Sequence, residues 1–392
     1  MIKNLVLQDL KRLVEENKFQ IILHNQKDLE NAANLDEVLL DRLKVDDNKV
    51  NSMIKSIHDV IEIPDPEGKL LYTFTHENGM VVENKVVPFG RVLIIYESRP
   101  DVTIEAAISA FKAGNSILLK GGKEAKNTNL FLVQLWHEAL KKNGLTTDLV
   151  TYLNIDRHET QELIRSNRQK VDLIIPRGGE SLINYVRSNT AIPIIVSGRG
   201  NNFAYVHKDA DLKIAIDIVL DGKKRLSVCN ALDKVLFHHE LPWLEEGVTQ
   251  LIKMFNENGI SVYSNHPALS RHPLVLQAEG EDILYEEFLG PRILFDQVEN
   301  LDSAIEKINT YSGGHSATII TEDESTALNF QVNVDCAAVM HNASTRFTDG
   351  GQFGFGAEIA ISTQKLHFRG PVSLSQLVTN KWFVSGSGQT RS

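Results

Sequence analysis

From Arg91 onward, short apolar runs alternate with stretches in which apolar residues recur at helical spacing. The run 91–96 is typical of a strand that is buried on both faces of a sheet. Similar runs predict further strands at 116–120, 149–153, 171–175 and 193–196. Strands that alternate with helices predict a parallel, doubly wound sheet with helices on both faces. The alternation starts again near residue 209 and continues to about residue 341, which predicts a second α/β domain.

The segment 69–87 has a different pattern from the helical residues 3–62 that precede it. Two runs rich in β-formers flank Asn78-Gly79, a pair that favours the positive φ of a tight hairpin turn. This predicts a β-hairpin that is either a feature of a sheet edge or an arm that docks on another subunit. The segment 366–384 has strand-like ends and is a candidate partner for the hairpin.

The totals limit the class of protein. A chain of 392 residues exceeds the size at which one hydrophobic core stops growing, so two or more domains are expected. The net charge of −10 argues against a nucleic-acid or anionic-membrane partner. No apolar run approaches the roughly 18 residues that cross a bilayer, and residues 1–19 lack the layout of a signal peptide, so we expect a cytoplasmic protein. Two cysteines at unrelated positions predict neither a disulfide framework nor a metal site.

Three polar or glycine-rich stretches follow predicted strands. They are 97–99 (ESR), 120–123 (KGGK) and 177–179 (RGG). Ligands of doubly wound sheets bind beyond the carboxyl ends of the strands, which places all three on one rim. None of them is a GxGxxG or Walker motif, and a single Gly-Gly pair would be weak support for phosphate binding. Together they predict a ligand-binding edge.

Cys229 lies on the connection between a predicted helix, 211–220, and a predicted buried strand, 235–237. The cationic run 223–225 precedes it, and nearby positive charge lowers the pKa of a thiol and favours the nucleophilic thiolate. The alternative is a buried structural cysteine, which is how we interpret Cys336 in its apolar run. A glycine-rich stretch with interleaved phenylalanines, 346–363, is typical of close backbone approach to a ligand or a turn beside a cleft.

Several of these stretches resemble the gamma-glutamyl phosphate reductases of proline biosynthesis, also called glutamate-5-semialdehyde dehydrogenases. The resemblance covers nearly the whole chain, and the matching stretches are 87–107, 117–125, 172–186, 227–238, 287–295 and 349–371. That family belongs to the aldehyde dehydrogenase superfamily. The implied fold is aldehyde dehydrogenase-like, with two doubly wound Rossmann-like α/β domains and a β-hairpin oligomerisation arm.

The resemblance also implies the domain boundaries. The cofactor-binding domain would comprise 1–67 and 88–207, and the catalytic domain 208–363. The arm and the C-terminal segment would comprise 68–87 with 364–392. A homo-oligomer is implied, with a glutamate 5-kinase as a possible partner.

In the implied reaction, Cys229 is the catalytic nucleophile. Its thiolate would attack the acyl carbon of γ-glutamyl phosphate, expel phosphate and leave a thioester, which NADPH would reduce to glutamate-5-semialdehyde. The tetrahedral oxyanions need donors, and the Cys229 N–H and the Asn230 side chain are the nearest candidates. Asn230 could equally be a turn residue.

Positive side chains are the expected contacts of an acidic, phosphorylated substrate, because guanidinium groups match phosphate and carboxylate. The substrate-binding candidates are Ser98, Arg99, Arg177 and Arg346. Each arginine could instead form a surface ion pair.

The expected cofactor is NADP(H). Its candidate contacts are Lys120, Gly121, Gly122, Lys123, Gly178, Gly179 and Glu287. Lys120 resembles the superfamily lysine of the adenosine-ribose site, and many NAD-preferring members carry a glutamate three residues later. Lys123 stands there in this chain and would favour a ribose 2′-phosphate. The alternative is a solvated lysine at the start of a helix.

One difference from hydrolytic aldehyde dehydrogenases supports the reductase interpretation. Ser197 takes the place of the glutamate that activates water in those enzymes, and an acyl-enzyme that exchanges with phosphate should exclude water. The stretch 200–204 and the pair 226–227 depart from the family pattern, which leaves substrate contacts open. The alternatives are a hydrolytic aldehyde dehydrogenase and an inactive scaffold for the kinase.

Overall fold

The computed structural model describes residues 2–32, 35, 37–356 and 358–391. The helices are α1 Ile2–Glu16, α2 Lys18–Asn31, α3 Glu37–Leu43, α4 Asp47–Glu62, α5 Val102–Lys112, α6 Lys126–Lys142, α7 Arg157–Ser166, α8 Glu180–Asn189, α9 Leu212–Gly222, α10 Leu244–Glu257, α11 Asp282–Tyr285, α12 Leu301–Tyr311 and α13 Glu324–Asn333. The strands are β1 Leu70–Thr75, β2 Val81–Pro88, β3 Arg91–Tyr96, β4 Ser116–Gly121, β5 Val150–Tyr152, β6 Leu173–Arg177, β7 Asn202–Val206, β8 Leu232–His238, β9 Ser261–Ser264, β10 Val275–Gln277, β11 Arg292–Val298, β12 Ser316–Ile320, β13 Ala338–His341, β14 Ala360–Ser362, β15 Gly370–Val372 and β16 Val378–Ser385.

The chain divides into two compact units. Unit 1 consists of Met1–Val196, Gly354–Ala360 and Pro371–Ser392, and unit 2 of Ser197–Phe353 and Ile361–Gly370. β14 and β15 form a two-stranded sheet in the segments through which the chain passes from one unit to the other.

Unit 1 contains a four-stranded parallel sheet in the order β5-β4-β3-β6. The central residues of β3 are fully buried, as the continuous apolar run predicted. α5 begins two residues after Pro100, and Gly114 follows its end with a φ of +90°. The predicted strand at 193–196 makes one parallel bridge, between Ile194 and Ile174.

The predicted hairpin is present in unit 1 and forms a three-stranded antiparallel sheet in the order β1-β2-β16. Its turn is closed by the His76 N–H, which donates to Met80 O at 2.8 Å, and Gly79 adopts a φ of +84°. β16 pairs with β2 along its whole length, so the C-terminal segment is the partner of the hairpin.

Unit 2 contains a seven-stranded parallel sheet in the order β10-β9-β11-β8-β7-β12-β13. Aromatic side chains fill one side of it, where the rings of Phe237 and Phe295 lie 5.2 Å apart. β7 belongs to this sheet because it pairs with β8 and β12. Unit 2 begins at Ser197, and the implied start of a catalytic domain at residue 208 stays a prediction.

Within the residues that the structure describes, no helix is long and apolar enough to cross a membrane. No group of three or more His, Cys, Asp and Glu side chains in the same residues could hold a metal ion.

Candidate active site

Unit 1 presents the three predicted ligand-binding stretches along one edge of its sheet. β3 lies between β4 and β6, and Tyr96 at its end pairs with Gly121 on one side and Arg177 on the other. The turns that follow these three strands therefore start side by side, at the carboxyl edge of the sheet.

A carboxylate from the turn after β3 holds the turn after β6. The Gly179 N–H donates to Glu97 Oε2 at 2.9 Å. A Cβ added at Gly178 would overlap the same carboxylate, whereas one at Gly179 would lie 3.9 Å from it. Gly178 is thus required for the approach of Glu97, and cofactor contact by either glycine stays a prediction.

Ser98 lies inside the turn after β3, with only 2% of its surface exposed. Its N–H and its hydroxyl both donate to Glu124 Oε1, at 2.8 Å each. Its φ of 43° is uncommon for a residue other than glycine, so these two bonds hold a strained turn. The Ser98 hydroxyl hydrogen is thus bonded to Glu124, and substrate contact by Ser98 stays a prediction. Gly122 leaves the room for Glu124, which a Cβ there would overlap.

The two lysines after β4 differ in exposure. Lys120 is half-buried and its Nζ donates to Gly121 O at 2.8 Å, and burial lowers its pKa. Lys123 is exposed, in a 3₁₀ turn that precedes α6. Gly121 accommodates the side chain of Asn129, which a Cβ would overlap. Lys123 therefore presents a cation at the edge where cofactor binding is predicted.

The amino end of α6 is occupied by a side chain that sequence analysis missed. The Asp28 carboxylate accepts the N–H groups of Asn127 at 3.0 Å and Thr128 at 2.8 Å, and the Thr128 hydroxyl at 2.6 Å. Helix amino ends often bind phosphate through such N–H groups. Here two of them, those of Asn127 and Thr128, are already bonded to Asp28.

Arg99 and Arg177 share an acidic environment within unit 1. Burial, followed by the charge of Asp101, raises the pKa of Glu105 to about 7, while Arg99, Arg177 and Lys49 act to lower it. Both arginines are therefore close enough to Glu105 to compensate its charge. Their role as substrate contacts stays a prediction.

Cys229 of unit 2 lies in the connection from α9 to β8 and is exposed, and Cys336 is buried. Both are thiols, and burial raises the pKa of Cys336 to about 11. A Cβ added at Gly200 would overlap the backbone carbonyl of Cys229, so only glycine allows this approach. The exposed thiol is thus presented from a backbone that is packed against the start of β7.

Asn202, at the start of β7, fixes the cysteine segment. Its Nδ2 lies within hydrogen-bond distance of three carbonyl oxygens, those of Gly200 at 2.9 Å, Cys229 at 2.7 Å and Ala231 at 2.7 Å. Its Oδ1 accepts the Ser316 hydroxyl at 2.5 Å, which fixes the orientation of the amide. Asn202 belongs to the stretch 200–204, which departs from the family pattern. Its hydrogen bonds position Cys229, the candidate nucleophile.

Asn230 connects the cysteine segment to the segment after β13. Its Nδ2 donates to the carbonyls of Arg346 at 3.0 Å and Thr348 at 3.1 Å, and its own carbonyl accepts the Thr345 hydroxyl at 2.9 Å. An amide nitrogen has two hydrogens, and both have acceptors here. These bonds favour the alternative, a residue that holds the turn, and an oxyanion role for Asn230 stays a prediction.

The cationic run before Cys229 does not act as one group. Lys223 is fully buried and its Nζ lies 2.6 Å from Asp233 Oδ1, which compensates its charge. Lys224 and Arg225 are exposed. Asp233 thus compensates the charge of Lys223, and an effect of the run on the Cys229 thiolate stays a prediction.

Arg346 and Glu287 both belong to unit 2. Arg346 Nη1 lies 3.5 Å from Asp221 Oδ1, so the arginine has the ion-pair alternative that the sequence left open. Glu287 is half-buried in the segment between α11 and β11. Ser197, in the place of the water-activating glutamate, forms an antiparallel bridge with Ser362. Residue 357 of the glycine-rich stretch lies outside the described residues.

Comparison with known proteins identifies the family. The model of the aldehyde dehydrogenase family matches residues 43–258 and 265–357. The gamma-glutamyl phosphate reductase of Caldicellulosiruptor saccharolyticus is 40% identical over 395 residues, which cover 99% of this chain and 94% of that protein. The chain belongs to the gamma-glutamyl phosphate reductase family. That of Carboxydothermus hydrogenoformans is 41% identical over 392 residues, with the same coverage.

The crystal structure of gamma-glutamyl phosphate reductase from Thermotoga maritima has the same fold, with a TM-score of 0.91 and 40% identity over 100% of this chain and 94% of that one. These findings confirm the predicted family and the aldehyde dehydrogenase-like α/β fold. The protein is therefore an oxidoreductase, a glutamate-5-semialdehyde dehydrogenase by family, and aldehyde dehydrogenases use a nicotinamide cofactor.

Proposed function

We propose that this protein reduces γ-glutamyl phosphate to glutamate-5-semialdehyde and phosphate with NADPH, through a thioester on Cys229. The proposal rests chiefly on the exposed thiol of Cys229, on a connection whose backbone is fixed by Gly200 and Asn202. It is supported by the family to which the chain belongs.

In the first step the Cys229 thiolate attacks the acyl carbon, and the bond from that carbon to the phosphate oxygen breaks. Phosphate leaves with the electron pair, and the glutamyl group stays on sulfur as a thioester. A bound nicotinamide supplies a hydride for the reduction of the acyl group. Collapse of the reduced adduct then releases the semialdehyde and returns the thiolate of Cys229.

The residues of unit 1 fit a phosphorylated nicotinamide cofactor. Lys120 lies at the end of β4, and the exposed Lys123 follows three residues later. Asp28 already accepts two N–H groups at the start of the next helix, so a 2′-phosphate at this edge would bind the Lys123 ammonium. Glu287 is proposed as a further cofactor contact.

Substrate binding is proposed for Arg99, Arg177 and Arg346, whose guanidinium groups suit a phosphate and a carboxylate. Asn230 and Ser98 are assigned structural roles, since the Ser98 hydroxyl already donates to Glu124 and the Asn230 amide to the carbonyls of Arg346 and Thr348. The cytoplasmic location and a kinase partner stay predictions.

The sheet β1-β2-β16 is proposed as an oligomerisation arm. Large apolar side chains on it are about half exposed, among them Leu71, Tyr72, Phe74, Trp382 and Val384. A sheet with this much exposed apolar surface favours association with a second copy. We expect deletion of the hairpin tip to give a smaller species in sedimentation, and a monomer with the hairpin intact would contradict the assignment.

The test of the proposed reaction is phosphate dependence in the reverse direction. With glutamate-5-semialdehyde and NADP⁺, we expect NADPH to form beyond one equivalent per Cys229 only when phosphate is present as acyl acceptor. Continued NADPH formation without phosphate would indicate a hydrolytic aldehyde dehydrogenase, and none with phosphate would indicate an inactive scaffold.

A further inference from the structure

Three charged side chains are buried together in unit 2, next to the segment that carries Glu287. Lys223 and Lys234 are 0% exposed and Asp233 is 1% exposed. Asp233 Oδ1 accepts from Lys223 Nζ at 2.6 Å, and its charge also acts on Lys234. We call these three residues the buried charge cluster.

The buried charge cluster binds the polar backbone groups on both sides of Glu287. Lys234 Nζ donates to Glu286 O at 2.5 Å. The Phe288 N–H donates to Asp233 Oδ2 at 2.6 Å, and Phe288 O accepts from Lys223 Nζ at 3.2 Å. Each of the three charged groups thus holds a different atom of the backbone that flanks Glu287.

The ring of Phe288 is also held by cations. Lys234 Nζ lies 3.7 Å from the ring centroid, and the Arg292 guanidinium carbon lies 4.6 Å from it. Arg292 in turn forms an ion pair with the Glu286 carboxylate. Lys234 Nζ also donates to Asn201 Oδ1 at 2.7 Å, which connects this segment to the start of β7.

Stability alone does not account for such a cluster. Burial of charged groups is unfavourable, and buried ion pairs can often be replaced by apolar residues of similar volume without loss of stability. Burial lowers the pKa values of Lys223 and Lys234, which is the direction expected for a penalty on their charged forms. What the cluster does provide is a fixed path for residues 286–288.

We propose that Lys234, together with Lys223 and Asp233, is a positioning residue that fixes the backbone around Glu287 so that this glutamate can contact the nicotinamide cofactor. The inference rests on the proposed function, which assigns Glu287 to the cofactor. It predicts that loss of Lys234 weakens cofactor binding with little effect on the chemistry of Cys229.

The test compares Lys234→Met, Glu287→Gln and the double variant, with NADPH dissociation constants measured by fluorescence in the absence of turnover. We expect Lys234→Met to raise the NADPH dissociation constant about tenfold. Because Lys234 acts through Glu287, the double variant should bind NADPH no more than about twofold more weakly than Glu287→Gln. The exposed Lys253→Met in α10 is the matched control and should bind NADPH like the unmodified protein.

Two further readouts separate positioning from general destabilisation. The Michaelis constant for γ-glutamyl phosphate and the rate at which iodoacetamide alkylates Cys229 should stay within about twofold in Lys234→Met. If that variant does not fold, Lys234→Gln replaces it in the same cycle, since its amide can still donate to Glu286 O. Lys234→Gln should bind NADPH with an affinity between those of the unmodified protein and Lys234→Met.

Normal NADPH affinity in the Lys234 variant, or losses that simply add to those of Glu287→Gln, would overturn the proposal. Normal affinity in Glu287→Gln would also overturn it, because Glu287 would then make no cofactor contact. Failure of the proposed function is a separate result, seen as the absence of phosphate-dependent NADP⁺ reduction in the unmodified protein.

Discussion

The predicted ligand-binding edge of unit 1 and the cysteine segment of unit 2 are held by side chains of opposite polarity. At the edge in unit 1, carboxylates accept backbone N–H groups, as Glu97 does from Gly179 and Asp28 does from Asn127 and Thr128. At the cysteine segment in unit 2, nitrogen donors bind backbone carbonyls, as Asn202 Nδ2 does at Cys229.

The difference follows from the edge of the sheet that each unit uses. The turns of unit 1 lie at the carboxyl edge, where strands lead into helices whose first N–H groups need acceptors. The candidate nucleophile of unit 2 lies at the amino edge, where α9 and α12 end and their last carbonyls need donors. Asn201 Nδ2 donates to Tyr311 O at the end of α12 at 2.8 Å. The carbonyls that Asn202 binds lie just before β7 and β8. Side chains of opposite polarity therefore do the same structural work.

The largest predicted effect concerns the thiol that unit 2 presents. Cys229→Ala should lower turnover by roughly 10³-fold or more, because the variant cannot form the thioester. NADPH binding, which the account assigns mainly to unit 1, should stay within about twofold in a fluorescence titration. Cys336→Ala is the control and should be nearly silent, since that buried thiol has no assigned role. A Cys229→Ala enzyme that kept a few per cent of its activity would refute the assignment.

The next largest effect tests whether the exposed Lys123 of unit 1 binds the 2′-phosphate of NADPH. Lys123→Glu should weaken NADPH binding about ten- to a hundredfold, or roughly 1.5–3 kcal/mol, and leave NADH binding little changed. Lys141→Glu, at the exposed far end of α6, makes the same charge change away from the predicted site. Equal losses of affinity for NADPH and NADH would show that Lys123 does not bind the 2′-phosphate.

A pair of isosteric exchanges tests the polarity difference itself. Asn202→Asp places a carboxylate against three carbonyls, and Asp28→Asn places an amide against N–H donors. Each should destabilise the protein by about 1–3 kcal/mol, because buried groups lose their partners. The melting temperature is the measurement, and the exposed Asn51→Asp is the control. If either exchange were neutral, the contrast between the units would have no energetic basis.

The smallest effect concerns Glu105, whose pKa is raised to about 7 by burial and by Asp101. A carboxyl group with a raised pKa in the folded state contributes stability below its ordinary pKa of about 4.5, and this contribution is lost as the pH rises through about 7. Glu105→Gln should therefore melt at the same temperature as the unmodified protein at pH 4.5, and at a temperature a few degrees higher at pH 8. A difference that does not change with pH would contradict the raised pKa.

Sequence patterns predicted the layers of the fold because burial of β3 and the hairpin turn are local properties. They could not assign Lys223, because its partner Asp233 lies across the cysteine connection. The role of Asn202 could not be predicted, because its partners lie up to 114 residues away along the chain and only the sheet brings them together. Asn230 showed the same limit, since its acceptors belong to another segment.

The thioester on Cys229 can be tested directly by intact-mass and peptide analysis after incubation with glutamate-5-semialdehyde and NADP⁺ without phosphate. We expect a glutamyl thioester on the peptide that contains Cys229. Addition of phosphate should remove this adduct and produce γ-glutamyl phosphate. An adduct on Cys336, or NADPH formation with no adduct at Cys229, would contradict this expectation.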